Sequence, residues 1–566
     1  MKTQISPKLE QGYALLLVLF FATISLATLA GALKWTSSSA VLTERNNKYY
    51  NALAASEAAT EKIIARVSRD YLAYGEAAVY TSLPGYATLV PTPAENAYWS
   101  GISFNNAQGV EDQTYVARLT SWSYTNLSSQ YSGLKGMAST YRVVSNAKTT
   151  QPEVTAAVKQ EVQVASIPIF QFAIFYAMDL EINPGPVMNI TGRVHSNSKI
   201  YTQPIGGLTY LDHVTAAGDI VLGKSPLDPT SRSAGPVTFK GEHDSKVSGL
   251  SLPIGTNNSP TAVRAVVDKP PVTEDINSAM GKQRYYNKAD VVVSVSSSAV
   301  TVKSGAFNNF ATTIPWTQAK TFIATNASFY NKREGKTVTA VDIDVGALKT
   351  WSQTNTLLRS QLGRDLNSIY VDDTRTQSSS TESGVRVLNG QTLPSLGLTV
   401  ATPEPLYVKG NYNAPSSYLG TTNTTLTKPA SLIGDSITVL STAWNDSNSS
   451  KGISNRTAAD TTVNAAFLGG IVASDGTHYS GGVENFPRFL EEWSGKKFTY
   501  NGSMVVMFYS QISKAVWGSD DVYGAPNRNW AFDLNFMDAT KLPPGTPQLL
   551  TMIRGTWKIL PPNTIL

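Results

Sequence analysis

The sequence has 566 residues, which is more than one ordinary compact domain of about 100–200 residues would use. A net charge of +5 spread over this length is too small to indicate a nucleic-acid partner. There is no cysteine, which excludes disulfides, cysteine-ligated zinc and thiol catalysis. The 4 histidines form no HxH or HxxxH pair, so the pattern does not favour a zinc site either.

Residues 13–33 form an uninterrupted apolar stretch without a single charged side chain. As a helix this stretch would be about 32 Å long, enough to cross a hydrocarbon core of about 30 Å. Residues 1–12 precede it as a short leader with Lys2 and Lys8 against Glu10, and this charge should keep the N-terminus cytoplasmic.

Three interpretations of this N-terminus compete. The first is a secretory signal peptide with an A-x-A cleavage site at residues 30–32, and the second is an uncleaved signal anchor. The third is a leader that is cut after Gly12, so that Tyr13 becomes the first residue of the mature chain. The next segment favours the third, because apolar residues recur at helical spacing over residues 34–72 without a proline. A cleaved signal peptide seldom continues into a long amphipathic helix.

The run that carries a family resemblance is Gly12 followed by an apolar helix start, Tyr13, Ala14, Leu15, Leu16, Leu17, Val18 and Leu19. This layout resembles the type IV pilin superfamily, in particular the PilX-like minor pilins and the large pseudopilins. The resemblance implies processing by a prepilin peptidase between Gly12 and Tyr13, with Leu15–Leu19 in the apolar core of a filament. The implied partners are other pilins and an inner-membrane assembly platform. The implied location is the bacterial inner membrane before assembly and the cell surface or filament afterwards.

Leu17 departs from the pilin pattern, because most pilins have Glu at this fifth mature position. In the family that carboxylate is thought to neutralise the N-terminal amine of a neighbour, and an unpaired buried amine is costly. The first subunit of a filament has no neighbour ahead of it. The missing Glu and the large head therefore indicate a position at the tip, in assembly initiation or adhesion.

The rest of the chain is predicted to be mainly β. Residues 73–169 are expected to form a small pilin-like α+β region, and residues 170–566 a large β-rich head. Short strand-turn units such as GDIVLGK are typical of a parallel β-helix or of stacked sheets, with β-sandwich domains as the alternative. No fixed repeat length is apparent. Short helices are expected near residues 346–358 and 487–493.

The sequence contains few motifs that are typical of catalysis or of metal binding. The sequence has no GxSxG, no phosphate-binding glycine loop and no HExxH, so no enzyme is predicted. Two pairs of carboxylates are candidate calcium ligands. Asp342 and Asp344 are expected on one face of a strand, without the oxygen-rich loop of a good calcium motif. Asp372 and Asp373 follow a predicted strand, where paired acids are usually solvated turn residues. No other cofactor is expected.

Aromatic side chains in residues 119–133 are candidates for stacking on a surface carbohydrate. Two further functions stay open on sequence alone. One is a secreted or anchored β-helix enzyme that acts on polysaccharide, and the other is a plain structural protein of the cell surface.

Overall fold

The computed structural model describes residues 11–106, 108–305, 310–518 and 521–564. The helices are α1 (Gln11–Tyr74), α2 (Glu76–Thr81), α3 (Leu83–Ala87), α4 (Pro260–Arg264), α5 (Ala279–Gln283), α6 (Tyr285–Lys288), α7 (Trp316–Ala319), α8 (Val345–Thr354) and α9 (Thr356–Leu362). The chain divides into two compact units. The first contains the described residues within 1–121, 139–163 and 554–566, and the second contains those within 122–138 and 164–553.

The strands in the first half of the chain are short, apart from β4 and β5. They are β1 (Ile102–Asn105), β2 (Tyr115–Arg118), β3 (Ser123–Asn126), β4 (Lys135–Thr149), β5 (Thr155–Pro168), β6 (Ile174–Tyr176), β7 (Leu180–Ile182), β8 (Met188–Ile190), β9 (Val194–Ser196), β10 (Ile200–Thr202), β11 (Leu208–Tyr210), β12 (Val214–Ala216), β13 (Ile220–Val221), β14 (Val237–Phe239) and β15 (His243–Ser245).

The second half continues with strands of two to nine residues and ends on a longer one. They are β16 (Val291–Val295), β17 (Val300–Ser304), β18 (Thr312–Thr313), β19 (Ile323–Asn331), β20 (Lys336–Asp344), β21 (Ser368–Asp373), β22 (Thr381–Leu388), β23 (Leu398–Ala401), β24 (Leu406–Lys409), β25 (Ala430–Ile433), β26 (Ile437–Leu440), β27 (Thr461–Asn464), β28 (Ala466–Ile471), β29 (Pro487–Phe489), β30 (Lys497–Gly502), β31 (Met504–Tyr509), β32 (Asn527–Phe532) and β33 (Gln548–Leu560).

Helix α1 dominates the first unit and confirms the predicted long N-terminal helix. Its first part is exposed on every side, whereas from Ala52 onward one face is buried. The buried positions recur every three or four residues, as a helix lying on a sheet requires. They are Ala52, Ala55, Ser56, Ala59, Thr60, Ile63, Ile64, Val67, Asp70 and Tyr71.

The sheet of this unit has the strand order β1, β4, β5 and β33. Of the last three strands, only residues 139–149, 155–163 and 554–560 belong to this unit. Strands β1 and β2 both pair antiparallel with β4. Ser56 joins α1 to this sheet, because its hydroxyl donates to the carbonyl of Ser145 at 2.6 Å and accepts from the N–H of Val158 at 3.1 Å. The small alanines of α1 let the helix approach the sheet closely enough for these bonds.

The second unit is built from strands that stack in parallel and in register. Ile174 pairs with Val194, and Val194 pairs with Val214, so each coil adds 20 residues. Two further sheets, in the orders β7-β10-β13 and β8-β11-β14, repeat the same step except between β11 and β14, where Leu208 pairs with Val237. Three parallel sheets around an apolar interior define a parallel β-helix, which confirms the predicted mainly-β class and selects the β-helix over the sandwich alternative.

The coils of the β-helix do not follow one another in chain order. The longest sheet has the order β15-β12-β9-β6-β31-β28-β25-β23-β21-β16-β17-β18, so β6 lies in its middle. The chain enters there and winds to β15. It then returns through residues 246–290, starts again at β16 and winds back until β31 pairs in parallel with β6. At the far end of this sheet, β17 pairs antiparallel with β16, and β18 pairs antiparallel with β17.

No fixed repeat length runs through the whole unit, as expected from the sequence. The first coils add 20 residues each, whereas an insertion between β13 and β14 lengthens the next step, in which Val214 pairs with His243. The helix expected at residues 487–493 is wrong: Pro487–Phe489 is strand β29, held in parallel by β26. The helix expected near residues 346–358 is confirmed by α8 and α9.

Candidate membrane segment and candidate cation sites

The first turns of α1 present apolar side chains to the outside on all faces. Leu15, Leu16, Leu17, Val18 and Leu19 are each more than half exposed. Exposed apolar surface costs about 25 cal/mol for every Å² in water, so a helix that is apolar all round belongs in a membrane or against other apolar helices. Among the described residues, α1 is the one helix that is long and apolar enough to span a bilayer.

Two aromatic residues bracket this segment. Tyr13 stands at its start and Trp35 near its end, and their side chains are 72% and 74% exposed. They lie about 33 Å apart along a helix, close to the thickness of a bilayer core. Tyr and Trp are enriched at both membrane interfaces, where the ring is half in lipid and the polar atom is in water. The positions of Tyr13 and Trp35 at the two ends of the apolar stretch are visible in the sequence and could have predicted both membrane interfaces.

The predicted processing site falls at the edge of the described chain. Helix α1 begins at Gln11, so the backbone of Gly12 and Tyr13 is already helical. The leader residues 1–10 lie outside the described residues. A cut after Gly12 would leave Tyr13 as the first residue of an intact helix, and this cut stays a prediction.

Asp342 is already neutralised by an arginine. Both of its carboxylate oxygens accept from Arg386, at 2.8 Å and 2.7 Å, and Arg386 also donates to Asp446 at 2.6 Å. Such a bidentate pair is among the stronger charge-assisted contacts in proteins. Burial raises the pKa of Asp342, while the hydrogen bonds from Arg386 oppose that rise. Asp344, two residues on, instead caps α8 by accepting from the N–H of Ala347 at 2.8 Å.

The two carboxylates of the second predicted pair, Asp372 and Asp373, each bind a different basic side chain. Asp372 accepts from Lys269 at 2.6 Å, and Asp373 accepts from the Nε of Arg375 at 2.9 Å. Adjacent residues of a strand point to opposite faces, so the two carboxylates cannot share one ion. In the described part of the chain, no group of three or more His, Asp or Glu side chains is placed to hold a metal ion. Calcium binding by the four aspartates stays a prediction.

The aromatic residues proposed for carbohydrate stacking have different surroundings. Tyr131 is fully buried, its hydroxyl donating to the carbonyl of Ser248 at 3.3 Å. Tyr124 is 37% exposed, and its hydroxyl accepts from the side chain of Gln171 at 3.1 Å. The segment is therefore not a continuous aromatic surface, and the sequence had no means of separating its buried ring from its exposed one.

Among known proteins, the chain has a distant structural likeness but no family or sequence match. No family model matches the chain, and no curated protein matches it. Among solved structures, the chain is similar to the competence-associated pilin ComZ from Thermus thermophilus. The two share 8% sequence identity over 91% of this chain and 97% of that chain, with a TM-score of 0.29. A likeness of this degree carries no inference about the fold or the function of this chain.

Proposed function

We propose that this chain is a membrane-anchored minor pilin-like or pseudopilin-like surface protein. Its N-terminal helix lies in the inner membrane before assembly and among the helices of other pilins afterwards. An inner-membrane assembly platform receives it, and a prepilin peptidase removes residues 1–12. The β-rich part is presented outside the cell. The protein acts at the tip of the filament, in assembly initiation or adhesion, and not as an enzyme.

The observation that carries this proposal is the change in α1 at Ala52. Before this residue the helix has an apolar, uncharged stretch that is exposed on every face, and after it one face is buried against a sheet of the same unit. A single helix thus serves two environments. Its first part needs an apolar partner that the chain itself does not supply in the described residues, and its second part is fixed to its own folded unit.

The tip position is supported by Leu17. At this position a carboxylate would have served to neutralise the amine of a neighbouring chain, and leucine supplies only an apolar surface, 54% of which is exposed. A subunit that has no chain ahead of it loses nothing through this change. A subunit inside the shaft would leave a charged amine unpaired in an apolar core, which is costly.

The mature N-terminus tests the proposal. Mass spectrometry of the protein purified from its native host should find a chain that begins at Tyr13. Gly12→Leu should block this processing and leave the leader attached. Gly31→Leu is the matched control, because it makes the same change in the same helix at a position where a Cβ meets no other atom within 4 Å. It should be processed normally.

The competing interpretations give different masses. A chain that begins at Ala32 or Leu33, and that becomes uncleaved in Ala32→Leu, would identify a secretory signal peptide and refute the proposal. A plain anchored surface protein would retain its full N-terminus in every variant. Deletion of the gene also separates these functions, since loss of filaments is expected only for a protein that takes part in their assembly.

A further inference from the structure

A cavity of about 410 Å³ opens in the second unit at the place where β31 joins β6. The cavity exists because the two stacks of coils, one ending at β6 and the other at β31, join there in only some of the sheets. Strands β7 and β29 belong to separate sheets, and the loop of residues 472–486 fills the gap between them. Its volume lies within the range of about 300–1,000 Å³ that is usual for small-molecule sites.

Glu181 on β7 is a buried carboxyl group in the wall of this cavity. It is 8% exposed, and its Oε1 accepts from the hydroxyls of Ser474 at 2.6 Å and Ser480 at 3.1 Å. Its Oε2 is buried and has no hydrogen-bond partner among the described residues. A buried polar atom without a partner costs about 1–3 kcal/mol, so a donor from a bound molecule would satisfy it. Burial raises the pKa of Glu181.

Arg333 supplies a positive charge to the same cavity. Its Nε donates to the carbonyl of Ala515 at 3.3 Å, and no carboxylate of the described residues lies within ion-pair distance of its guanidinium. The neighbouring Arg488 differs, because it donates to Glu334 at 2.8 Å. Burial lowers the pKa of Arg333 to about 9, which leaves it cationic at neutral pH.

Aromatic and hydroxyl groups complete the wall. Tyr509, at the end of β31, is 41% exposed. A ring of this kind offers an apolar face and a polar edge, which suits the alternating CH and OH groups of a sugar. Asp179 also lines the cavity, but its Oδ1 already accepts from the hydroxyl of Ser198 at 2.5 Å and from the N–H of Lys199 at 3.1 Å.

We propose that this cavity binds a sugar residue that carries a carboxylate, with Arg333 on the carboxylate, Glu181 on a ring hydroxyl and Tyr509 against the ring. The guanidinium of Arg333 has no carboxylate within ion-pair distance among the described residues, and the Oε2 of Glu181 has no hydrogen-bond donor there, so the first favours a negative charge and the second a donor. A sugar acid carries both within one ring, and it presents the flat face that an aromatic side chain covers. The inference rests on the second unit alone and does not depend on how the N-terminus is processed.

A matched pair of ligands tests the site. Methyl glucuronide and methyl glucoside differ only in having a carboxylate or a CH₂OH group at C6. Binding of each to the full-length protein would be measured by calorimetry in a detergent without a sugar headgroup. The glucuronide should bind at least about tenfold more tightly, because a charge-assisted hydrogen bond is worth about 1.5–3 kcal/mol.

Two variants assign the roles. Arg333→Met should weaken the glucuronide at least about tenfold and leave the glucoside unchanged. Glu181→Gln should weaken both ligands, since it replaces the acceptor that a ring hydroxyl would use. Arg359→Met is the control, because it removes the same charge at an exposed site outside the cavity, where the side chain pairs with Asp365. It should bind both sugars like the native chain.

Several outcomes would overturn the proposal. These are no binding of the glucuronide, equal binding of the two sugars, or equal effects of Arg333→Met and Arg359→Met. Equal binding of a short peptide with a free C-terminal carboxylate would also refute it, because the cavity would then recognise a carboxylate without a sugar. If a variant fails to fold, the comparison of the two sugars on the native chain still decides the question. None of these failures would alter the mass that identifies the mature N-terminus.

Discussion

Arg264 donates from its Nη1 to the Oδ1 of Asp435 at 3.0 Å, and both side chains are buried. Arg264 belongs to α4, in the segment by which the chain returns from one end of the β-helix to the other. Asp435 comes just after strand β25, which lies near the middle of the longest sheet. The second nitrogen of Arg264 donates to the carbonyl of Pro403 at 2.6 Å. The returning segment is therefore held against the coils by a buried, fully hydrogen-bonded ion pair.

Asp435→Asn should be strongly destabilising. The carboxylate also accepts from the N–H groups of Gln511, Ile512 and Ser513, which hold the chain as it leaves β31. Breaking a buried ion pair usually costs about 3–5 kcal/mol, because the remaining charge stays buried. Hydrogen exchange at residues 511–513 should become faster, and the midpoint of urea unfolding should fall.

The control for this change is Asp219→Asn. Asp219 pairs with Lys246 at 3.5 Å, and its side chain is 49% exposed. Exposed pairs contribute about 0–1 kcal/mol, so little change is expected there. Similar losses of stability in the two variants would contradict the assigned role of Asp435.

Glu404→Gln should stabilise the chain at pH 8 but not at pH 4. Burial, together with the charges of Asp373 and Asp435, raises the pKa of Glu404 to about 8. The unfolded chain ionises this group near pH 4.5, so the native protein loses stability as the pH rises from about 4.5 to 8. Glutamine cannot ionise and removes this loss, with an expected gain of about 2 kcal/mol or more at pH 8.

Urea unfolding at pH 4, 6 and 8 measures this effect of Glu404. The control is Glu242→Gln, since the side chain of Glu242 is 74% exposed. Its effect should be small and should not grow with pH. A Glu404→Gln variant whose advantage is the same at all three pH values would show that the carboxyl group is not held neutral.

Gly397→Ala should be more destabilising than Gly410→Ala. Both glycines have similar positive φ angles, +87° and +82°, so the backbone strain of a side chain is alike. A Cβ at Gly397 would lie 1.9 Å from the carbonyl oxygen of Pro429, whereas one at Gly410 would touch only a methyl group at 3.9 Å. The oxygen of Pro429 accepts from the N–H of Leu398 and cannot move away freely.

The difference between the two glycine variants isolates the close approach of neighbouring coils. It should amount to about 1–3 kcal/mol in the free energy of unfolding, as expected for overpacking. Urea unfolding under identical conditions measures it. Equal losses would mean that only the backbone angle matters at Gly397.

Ser56→Ala should loosen the attachment of α1 to its sheet. Its hydroxyl is fully buried and bridges Ser145 and Val158, so alanine leaves a buried N–H and a buried carbonyl without this partner. The expected loss is about 1–3 kcal/mol. Hydrogen exchange should accelerate at the amide of Val158, while Ser38→Ala, at an exposed position of the same helix, should leave that exchange unchanged. A result in which both variants exchange alike would refute the role of Ser56.

Much of the architecture could be read from local patterns. The apolar stretch over residues 13–33 predicted a helix long enough for a membrane, and short strands ending in turn residues predicted the β class. These signals are local, because they depend on neighbours within one or two turns of the chain. The 20-residue repeat was equally present in the sequence, but only the first coils keep it free of insertions.

The candidate sites were less accessible to sequence. Asp342 and Asp344 lie two positions apart on one strand, β20, as predicted. However, the carboxylate of Asp342 accepts hydrogen bonds from Arg386, and that of Asp344 accepts from the first turn of α8. No sequence motif near Glu181 or Arg333 marks a site. Their importance lies in missing partners, and a missing partner becomes visible only when the surrounding side chains are placed.

The sequence by itself determined that this chain has an apolar N-terminal helix, a β-rich body and no cysteine chemistry, because composition and short-range periodicity set these properties. The tertiary structure alone decided that Ile174 lies beside Met504, since a parallel sheet joins strands through backbone hydrogen bonds that carry no sequence signature. That junction leaves the cavity around Glu181. The tertiary structure also places Arg264 on Asp435, 171 positions along the chain, because Asp435 is fully buried and a buried carboxylate needs a counter-charge wherever the fold brings one.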